Sequence, residues 1–180
     1  MGYTTYFTGE FTINPPLDAN QVAYLTKFSS TRRMGRHESP VEGIEDPLRL
    51  AVGLPIGTEG GYCVVEGNWG DADVINYNRA PSEQPGLWCQ WVPSEDGTTI
   101  VWDEGEKFYA YVEWIEYIIE HFMERWGRKL NGVVRWDGEE SDDVGAIVIV
   151  DNQVETVTLD VQELLNEYIA DAMKNMGGNK

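Results

Sequence analysis

Residues 108–126 read FYAYVEWIEYIIEHFMERW, and the fold of the chain depends on this stretch. Its apolar residues recur at the i, i+3, i+4, i+7 spacing of an amphipathic helix. They are Phe108, Tyr111, Val112, Ile115, Ile118, Ile119, Phe122 and Trp126. Gly127 follows as a stop signal, and Arg125 places a cation in the last turn, where it suits the helix dipole. The pattern predicts a central helix with one face in the core.

The same stretch carries a second, acidic stripe. Glutamates recur every three or four residues, at Glu113, Glu116, Glu120 and Glu124. On a helix this spacing places them together on the side that faces away from the core. We therefore expect four carboxylates next to one another in solvent.

The chain before the central helix predicts a strand, a helix and a hairpin. Threonine and aromatic residues at 3–13 favour a strand. Asp18 followed by Gln21 is the pattern of a capping box, which starts a helix. Apolar runs at 87–93 and 98–103 flank Asp96-Gly97, a typical hairpin turn.

The chain after the central helix predicts three more strands and a last helix. Residues 130–136 form one strand, and 146–150 and 153–158 form a hairpin around Asp151-Asn152. A capping box beginning at Asp160 starts the last helix. The fold class is therefore α+β, an antiparallel sheet with helices packed on one face. The first six elements have the βαββαβ order of a ferredoxin-like unit, to which a C-terminal hairpin and helix are added.

The 180-residue length predicts a single domain over 1–180. Two long irregular loops, at about 31–61 and 66–86, interrupt it. We expect only a short turn at 47–52 in the first loop and a short strand at 62–65 between the two. Loops of this length in a compact domain are usually functional or mobile.

The charge balance restricts the classes of partner. The chain has 13 Lys and Arg against 31 Asp and Glu, a net charge of −18. Nucleic acid and anionic membranes would be repelled, so we expect no direct binding to either. Simple solubility, a basic protein partner and mimicry of a polyanion all agree with this charge. The oligomeric state is left open.

Cysteine usage and hydropathy predict a cytoplasmic protein, of a bacterium or of a cell infected by a virus. Cys63 and Cys89 form no CxxC pair and no zinc-spaced cluster, so we expect two reduced core thiols. No leader-like run and no stretch of about 18 apolar residues is present in the sequence.

The segment TRRMGRH at 31–37 is a local exception to the acidity. Guanidinium groups are planar bidentate donors for phosphate or carboxylate, so Arg32, Arg33, Arg36 and His37 are candidates for an anion site. The competing interpretation is that these arginines pair with the protein's own acids.

The segment DGEESDD at 137–143 holds five carboxylates in seven residues. They supply oxygen ligands of the kind that Ca²⁺ and Mg²⁺ bind, although the spacing is not that of an EF-hand. A hairpin loop that keeps its acids in water is the interpretation that we favour. Trp91 lies on the hairpin before the central helix and faces away from Trp88, so one of the two is expected on the surface unless both faces are covered.

Catalytic motifs are absent from the sequence. It contains no GxSxG, HExxH, P-loop or GxGxxG. The two histidines are His37 and His121, and we expect His121 on the surface of the central helix. We therefore favour a protein without enzymatic activity.

Five segments together carry a resemblance. They are YFTGEF at 6–11, TRRMGR at 31–36, PGLWCQWVP at 85–93, EKFYAYVEW at 106–114 and GEESDD at 138–143. Their combination resembles a group of small acidic proteins of bacterial and phage genomes, over nearly the whole chain. The group has no established activity, so the resemblance implies no catalytic residue and no substrate. A phage setting would agree with inhibition of a host defence protein.

Two functions follow as hypotheses. The first is a non-enzymatic acidic protein that occupies a basic surface of another protein, such as a host defence or nucleic-acid-binding protein. Its expected contact residues are Glu113, Glu116, Glu120, Glu124, Glu139, Glu140, Asp142, Asp143 and Trp91. The alternative is a binding protein or hydrolase for a nucleotide or other phosphorylated anion, built on Arg32, Arg33, Arg36 and His37. We expect no cofactor and no metal in either case.

Overall fold

A six-stranded antiparallel sheet is the frame of the protein. The computed structural model describes residues 2–37, 45–54, 63–64, 67 and 69–158. The strands of the sheet are β1 (Tyr6–Asn14), β4 (Trp91–Pro93), β5 (Thr99–Trp102), β6 (Lys129–Asp137), β7 (Val144–Val150) and β8 (Gln153–Thr158). Their order is β4-β5-β1-β6-β7-β8, and every neighbouring pair is antiparallel. A separate two-stranded sheet pairs β2 (Gly35–Arg36) with β3 (Val74–Asn76).

Three α-helices accompany the sheet in the described residues. They are α1 (Ala19–Ser29), α2 (Pro47–Ala51) and α3 (Tyr111–Ile118), and α3 continues as a π-helix over Ile119–Met123. The capping box is confirmed, because Asp18 accepts hydrogen bonds from the backbone of Asn20 and Gln21. The prediction of an α+β fold is confirmed at this level. In these ranges no helix combines the length and the apolar character needed to cross a membrane.

The core lies between the helices and one face of the sheet. Antiparallel register aligns Phe11 with Gly132 and Ile13 with Leu130, so the inward side chains of β1 and β6 meet on that face. Buried residues of α1, α3 and the π-helix join the same cluster: Tyr24, Leu25, Phe28, Trp114, Ile115, Ile118, Ile119, Phe122 and Met123. The alternate residues of the strands, such as Thr12 and Val133, are exposed on the other face.

The central helix is confirmed, but it starts later than its sequence pattern predicts. Its first residue is Tyr111, because Ala110 has a left-handed backbone conformation, with φ of 53°. Phe108 lies before the helix and is nevertheless buried. The chain leaves the helix near Gly127, which has a φ of 65° and is the predicted stop.

The π-helix is a feature that the sequence pattern did not predict. The Glu124 N–H donates to the Ile119 carbonyl (2.9 Å), the fifth residue back, so this hydrogen bond spans one more residue than the bond of an α-helix. The buried face is also wider than the predicted stripe, since Trp114, Tyr117 and Met123 are buried as well. The sheet and the loop that carries Gln84 both cover the helix, and Gln84 bonds to the Tyr117 hydroxyl.

Most of the remaining strand and turn predictions agree with the structure. The hairpin around Asp96-Gly97 is present, although β4 begins at Trp91 rather than near residue 87. The second hairpin turns at Asp151 and Asn152, which have φ of 49° and 73°. Helix α2 matches the short turn predicted at 47–52. The last helix, predicted to start at Asp160, lies outside the described residues. Of the strand predicted at 62–65, residues 63–64 are described, and they do not belong to a strand. The single domain stays a prediction.

The orientation of the central helix is tested by truncating its buried face. Ile118 is 1% exposed, so Ile118→Ala should leave a cavity and lower the free energy of unfolding by about 2–5 kcal/mol. Glu116→Ala, on the exposed side of the same helix, should change it by no more than about 0.5 kcal/mol. Denaturant unfolding of both variants is the measurement. An Ile118→Ala protein as stable as Glu116→Ala would show that the helix faces the other way.

Candidate functional site

The four glutamates of the central helix form an exposed row, as their spacing predicts. Glu113 and Glu116 lie on α3, Glu120 lies in the π-helix and Glu124 follows it, and all four are exposed. The opposite side of the same segment is buried in the core. The change from α-helix to π-helix does not carry any of the four carboxylates into the interior. We call this row the helix glutamates.

The loop at 137–143 is held against the N-terminal segment. Asp143 accepts two hydrogen bonds, from the Tyr3 hydroxyl (2.6 Å) and from Trp136 Nε1 (3.0 Å). The Glu139 carboxylate accepts from the Thr4 N–H (2.8 Å). Asp143 is half-buried and anchors the loop, whereas Glu139, Glu140 and Asp142 are exposed. We call Glu139, Glu140 and Asp142 the loop acids.

The loop lies close to the first turn of the central helix, and Tyr111 connects the two. Burial raises the pKa of Tyr111 to about 12, and the negative charges of Asp143 and Glu113 add to that rise. The Tyr111 ring also packs on Trp136, the residue that holds Asp143. The anchor of the loop, Asp143, and the first helix glutamate, Glu113, therefore both act on Tyr111.

Trp91 does not belong to this surface, which corrects its assignment as a contact residue. It is 1% exposed, and its Nε1 donates to the Tyr111 carbonyl (2.8 Å). Its ring packs edge-on against Phe7, Phe11 and Phe108. The reason is that β4 turns Trp91 toward the helices, and Trp88, just before the strand, is the tryptophan left exposed.

Arg33, from the predicted anion site, is buried and held by several partners. Its Nε donates to Gln84 Oε1 (3.1 Å), and its Nη1 donates to the Cys63 carbonyl (2.6 Å). The guanidinium also lies over the Phe28 ring, 4.3 Å from its centroid. Burial lowers the pKa of Arg33 from its ordinary value. Gln84 in turn donates to the Tyr117 hydroxyl (3.2 Å), which ties Arg33 to the central helix.

The other residues of that segment have different surroundings. Arg36 is buried and forms an ion pair with Asp73. Arg32 donates from Nε to the Tyr77 carbonyl (3.0 Å), and its guanidinium lies over the Tyr77 ring. His37 is exposed. Because the three arginines bond to separate groups, a joint anion site on these four residues stays a prediction and would require them to leave those partners.

Three further residues have unusual surroundings that sequence analysis did not single out. Arg49 is buried, and within the described part of the chain its Nη1 has no hydrogen-bond partner. Trp69 is 87% exposed. Arg79 lines an open cavity beside β2 and β3. Each is an isolated residue in a loop or short helix, so no periodic pattern marks it in the sequence.

The thiols are core residues, as their sequence neighbours predict. Cys63 and Cys89 are both buried and are not joined in a disulfide. Burial raises the pKa of the Cys89 thiol to about 12, which keeps it protonated and unreactive at neutral pH. Across the described residues, no group of three or more His, Cys, Asp or Glu side chains is placed to hold a metal ion.

His121 is not the surface residue that its position predicts. It is half-buried, and its ring lies 4.1 Å from the Tyr117 ring, centroid to centroid. Burial lowers its pKa, with Arg125 acting in the same direction, while Glu120 and Glu83 oppose the change. The Tyr117 contact follows from the i, i+4 spacing of the two residues on the helix.

Comparison with known proteins supplies no relative. No protein-family model matches the chain, and searches of curated proteins and of solved structures find no match either. The resemblance to small acidic bacterial and phage proteins therefore stays a prediction. The function must be argued from the residues of this chain.

Replacing Arg33 separates a structural role from a binding role. Arg33→Met leaves the acceptors on Gln84 and Cys63 without this donor, at a cost of about 1–3 kcal/mol each. The control Arg79→Met removes an exposed guanidinium and should change the free energy of unfolding by no more than about 0.5 kcal/mol. Denaturant unfolding compares them. Equal stabilities would show that Arg33 is dispensable to the fold, which favours the anion-site interpretation.

His121 should make stability depend on pH below neutrality. Its folded-state pKa is lowered, so the unfolded chain takes up the proton first, and stability is lost as pH falls through about 6.5. His121→Phe keeps a ring beside Tyr117 and removes this loss. Melting temperatures at pH 7.5 and 5.5 should therefore differ less in His121→Phe than in the parent. The control His37→Gln, at an exposed position, should behave like the parent. If the melting temperature of His121→Phe changed with pH as much as that of the parent, His121 would not be the source of the pH dependence.

Proposed function

We propose that the protein binds a basic surface of another protein through its acidic residues and acts by occupying that surface. The contact residues in this proposal are Glu113, Glu116, Glu120, Glu124, Glu139, Glu140 and Asp142. Asp143 supports them by anchoring the loop. This function does not require the protein to catalyse a reaction.

The observation that carries this proposal is that the helix glutamates and the loop acids are exposed on two segments that both border Tyr111. The ion pairs Arg36–Asp73 and Arg135–Asp137 involve none of these seven carboxylates, so neither pair neutralises this surface. The charges remain available to a partner. Complementary charge of this kind accelerates association and selects the partner.

The acids are held on a rigid support, which favours binding over simple solubility. The helix glutamates stand on a segment whose other side is fully packed in the core. The loop acids stand on a loop held by Tyr3, Thr4 and Trp136. Pre-ordered charges lose little conformational entropy when a partner binds. Acids that serve solubility alone have no need of such support.

The charge spacing agrees with mimicry of a polyanion. The four carboxylates lie within twelve residues, and the eleven steps from Glu113 to Glu124 span about 16 Å at the α-helical rise of roughly 1.5 Å per residue. One strand of DNA carries about five phosphates over this length, at about one per 3.4 Å. A protein that normally holds nucleic acid is therefore the partner class that we propose. The resemblance to phage proteins would make that partner a host defence protein.

We further infer that the first six elements of the main sheet and its helices form a ferredoxin-like unit. The strand order β4-β5-β1-β6 supports this, because in a ferredoxin-like unit the first strand lies between the last strand, here β6, and the hairpin, here β4–β5. Helix α1 lies in the connection from β1 to β4, which also contains β2, α2 and β3. Helix α3 lies in the connection from β5 to β6. The β7–β8 hairpin extends the sheet on the β6 side. This arrangement places both connecting helices on the core face.

The proposal predicts a salt-dependent interaction that the helix glutamates control. The full chain is immobilised, proteins retained from a bacterial lysate at low salt are identified, and the affinity of each purified candidate is measured. Glu116→Gln with Glu120→Gln should weaken binding at least tenfold, because two central charges are removed. The affinity of the parent should fall steeply between about 50 and 200 mM salt, as it does for contacts between a protein and a polyanion.

The matched control removes two charges elsewhere. Glu10 and Glu155 are exposed on strands of the main sheet, so Glu10→Gln with Glu155→Gln changes the net charge equally. This variant should bind within about twofold of the parent. An affinity that does not change with salt, or an equal loss in both double variants, would contradict a specific acidic surface.

A further inference from the structure

An open cavity of about 280 Å³ lies beside the small two-stranded sheet. Its lining is Gly35, Ile75, Asn76, Arg79, Ala80 and Ser82. Gly35 and Asn76 are directly opposed in the β2–β3 register. The Gly35 N–H donates to the Arg79 carbonyl (2.9 Å), which fixes the segment after β3 against β2. Backbone hydrogen bonds on two sides therefore shape the cavity.

The side chains of the lining are hydrogen-bond donors and aliphatic groups. Asn76 Oδ1 accepts from the Asn78 N–H (2.9 Å), which orients the amide and leaves its NH₂ group as the end that can donate. Arg79 and Ser82 are exposed and add a guanidinium and a hydroxyl. Ile75 and Ala80 supply an apolar wall. Among the described residues of the lining there is no carboxylate, although the chain carries 31 acidic residues.

We propose that this cavity binds a small organic anion, with its charged group on Arg79, Asn76 and Ser82 and its apolar part against Ile75 and Ala80. A guanidinium recognises a carboxylate or phosphate through paired N–H donors, and an amide and a hydroxyl add further bonds. The segment at 31–37 contributes Gly35 to the lining, but its Arg33 and Arg36 are occupied by protein groups and take no part in this site. It is also independent of the acidic surface.

The size of the cavity limits the ligand. Small-molecule sites usually measure about 300–1,000 Å³, so this cavity lies just below that range. A carboxylate or phosphate on a short alkyl chain or a single ring fits, whereas a dinucleotide does not. A polymer such as nucleic acid is excluded by the overall charge of −18.

Titration of the full chain with defined probes tests the site. Butyrate and phenyl phosphate present the two anionic groups on a short chain and a ring, and butyramide is the neutral match of butyrate. At low salt, NMR shifts of the Gly35 backbone amide and the Asn76 side-chain amide should saturate with at least one of the two anions. Butyramide should produce no saturable shift. The anion that binds more tightly tells whether the natural ligand carries a carboxylate or a phosphate.

Two variants and one control assign the binding to these side chains. Arg79→Gln should weaken the affinity about tenfold or more, because a charge-assisted hydrogen bond is lost. Asn76→Asp keeps the acceptor for the Asn78 N–H and places a negative charge in the lining, so it should abolish binding. Arg125→Gln changes the net charge as Arg79→Gln does, at an exposed position outside the lining, and should bind within about twofold of the parent.

Several outcomes would overturn the proposal. One is the absence of saturable shifts with either anion at about 10 mM, well above the concentration at which a millimolar site fills. Another is equal binding of butyramide and butyrate, which would remove the role of the charge. An equal loss of affinity in Arg79→Gln and Arg125→Gln would show that the overall charge, and not a contact in the cavity, causes the weaker binding. All three variants replace exposed residues, so unfolding midpoints near that of the parent exclude misfolding as the cause.

Discussion

The packing of the central helix on the inner face of the sheet is the interaction on which the rest of the structure depends. Trp114, Ile115 and Ile118 are almost wholly removed from solvent there, and burial of each large apolar side chain contributes about 1.5–3 kcal/mol. This packing fixes which side of the helix faces outward. It therefore also fixes the exposure of the helix glutamates. A core constraint thus determines where the negative charge of the protein is displayed.

Several of the positive charges, in contrast to the helix glutamates, lie in the interior. Arg33, Arg36 and Arg49 are all buried, so three of the 13 basic residues contribute little to the surface. A buried guanidinium is tolerated when other groups satisfy it, and Arg33 has a carbonyl, an amide and an aromatic ring for this purpose. The outer surface is consequently more acidic than an even mixture of both charges would make it. Arg79 stands out as a cation that remains exposed beside a cavity.

Regular segments could be predicted from the sequence because their signals are local. The capping box at Asp18 and the turns at Asp96-Gly97 and Asp151-Asn152 each depend on a few adjacent residues. The loop residues could not be placed in this way. The surroundings of Arg33, Gln84 and Tyr117 join positions 31–37, 81–90 and 111–118, and no local pattern records such contacts. Trp91 was assigned to the surface for the same reason, since alternation along a strand does not tell which face is covered.

The sequence by itself determined the α+β class, the central amphipathic helix and the acidic stripe on its outer side. These features follow from the periodicity of apolar residues and from the charges, and both can be read from a short segment of sequence. Only the tertiary structure decided the π-helix after Ile118, the anchoring of the acidic loop beside Tyr111 and the cavity that includes Arg79. The physical reason is that each of these depends on side chains from distant parts of the chain competing for the same space and the same hydrogen bonds.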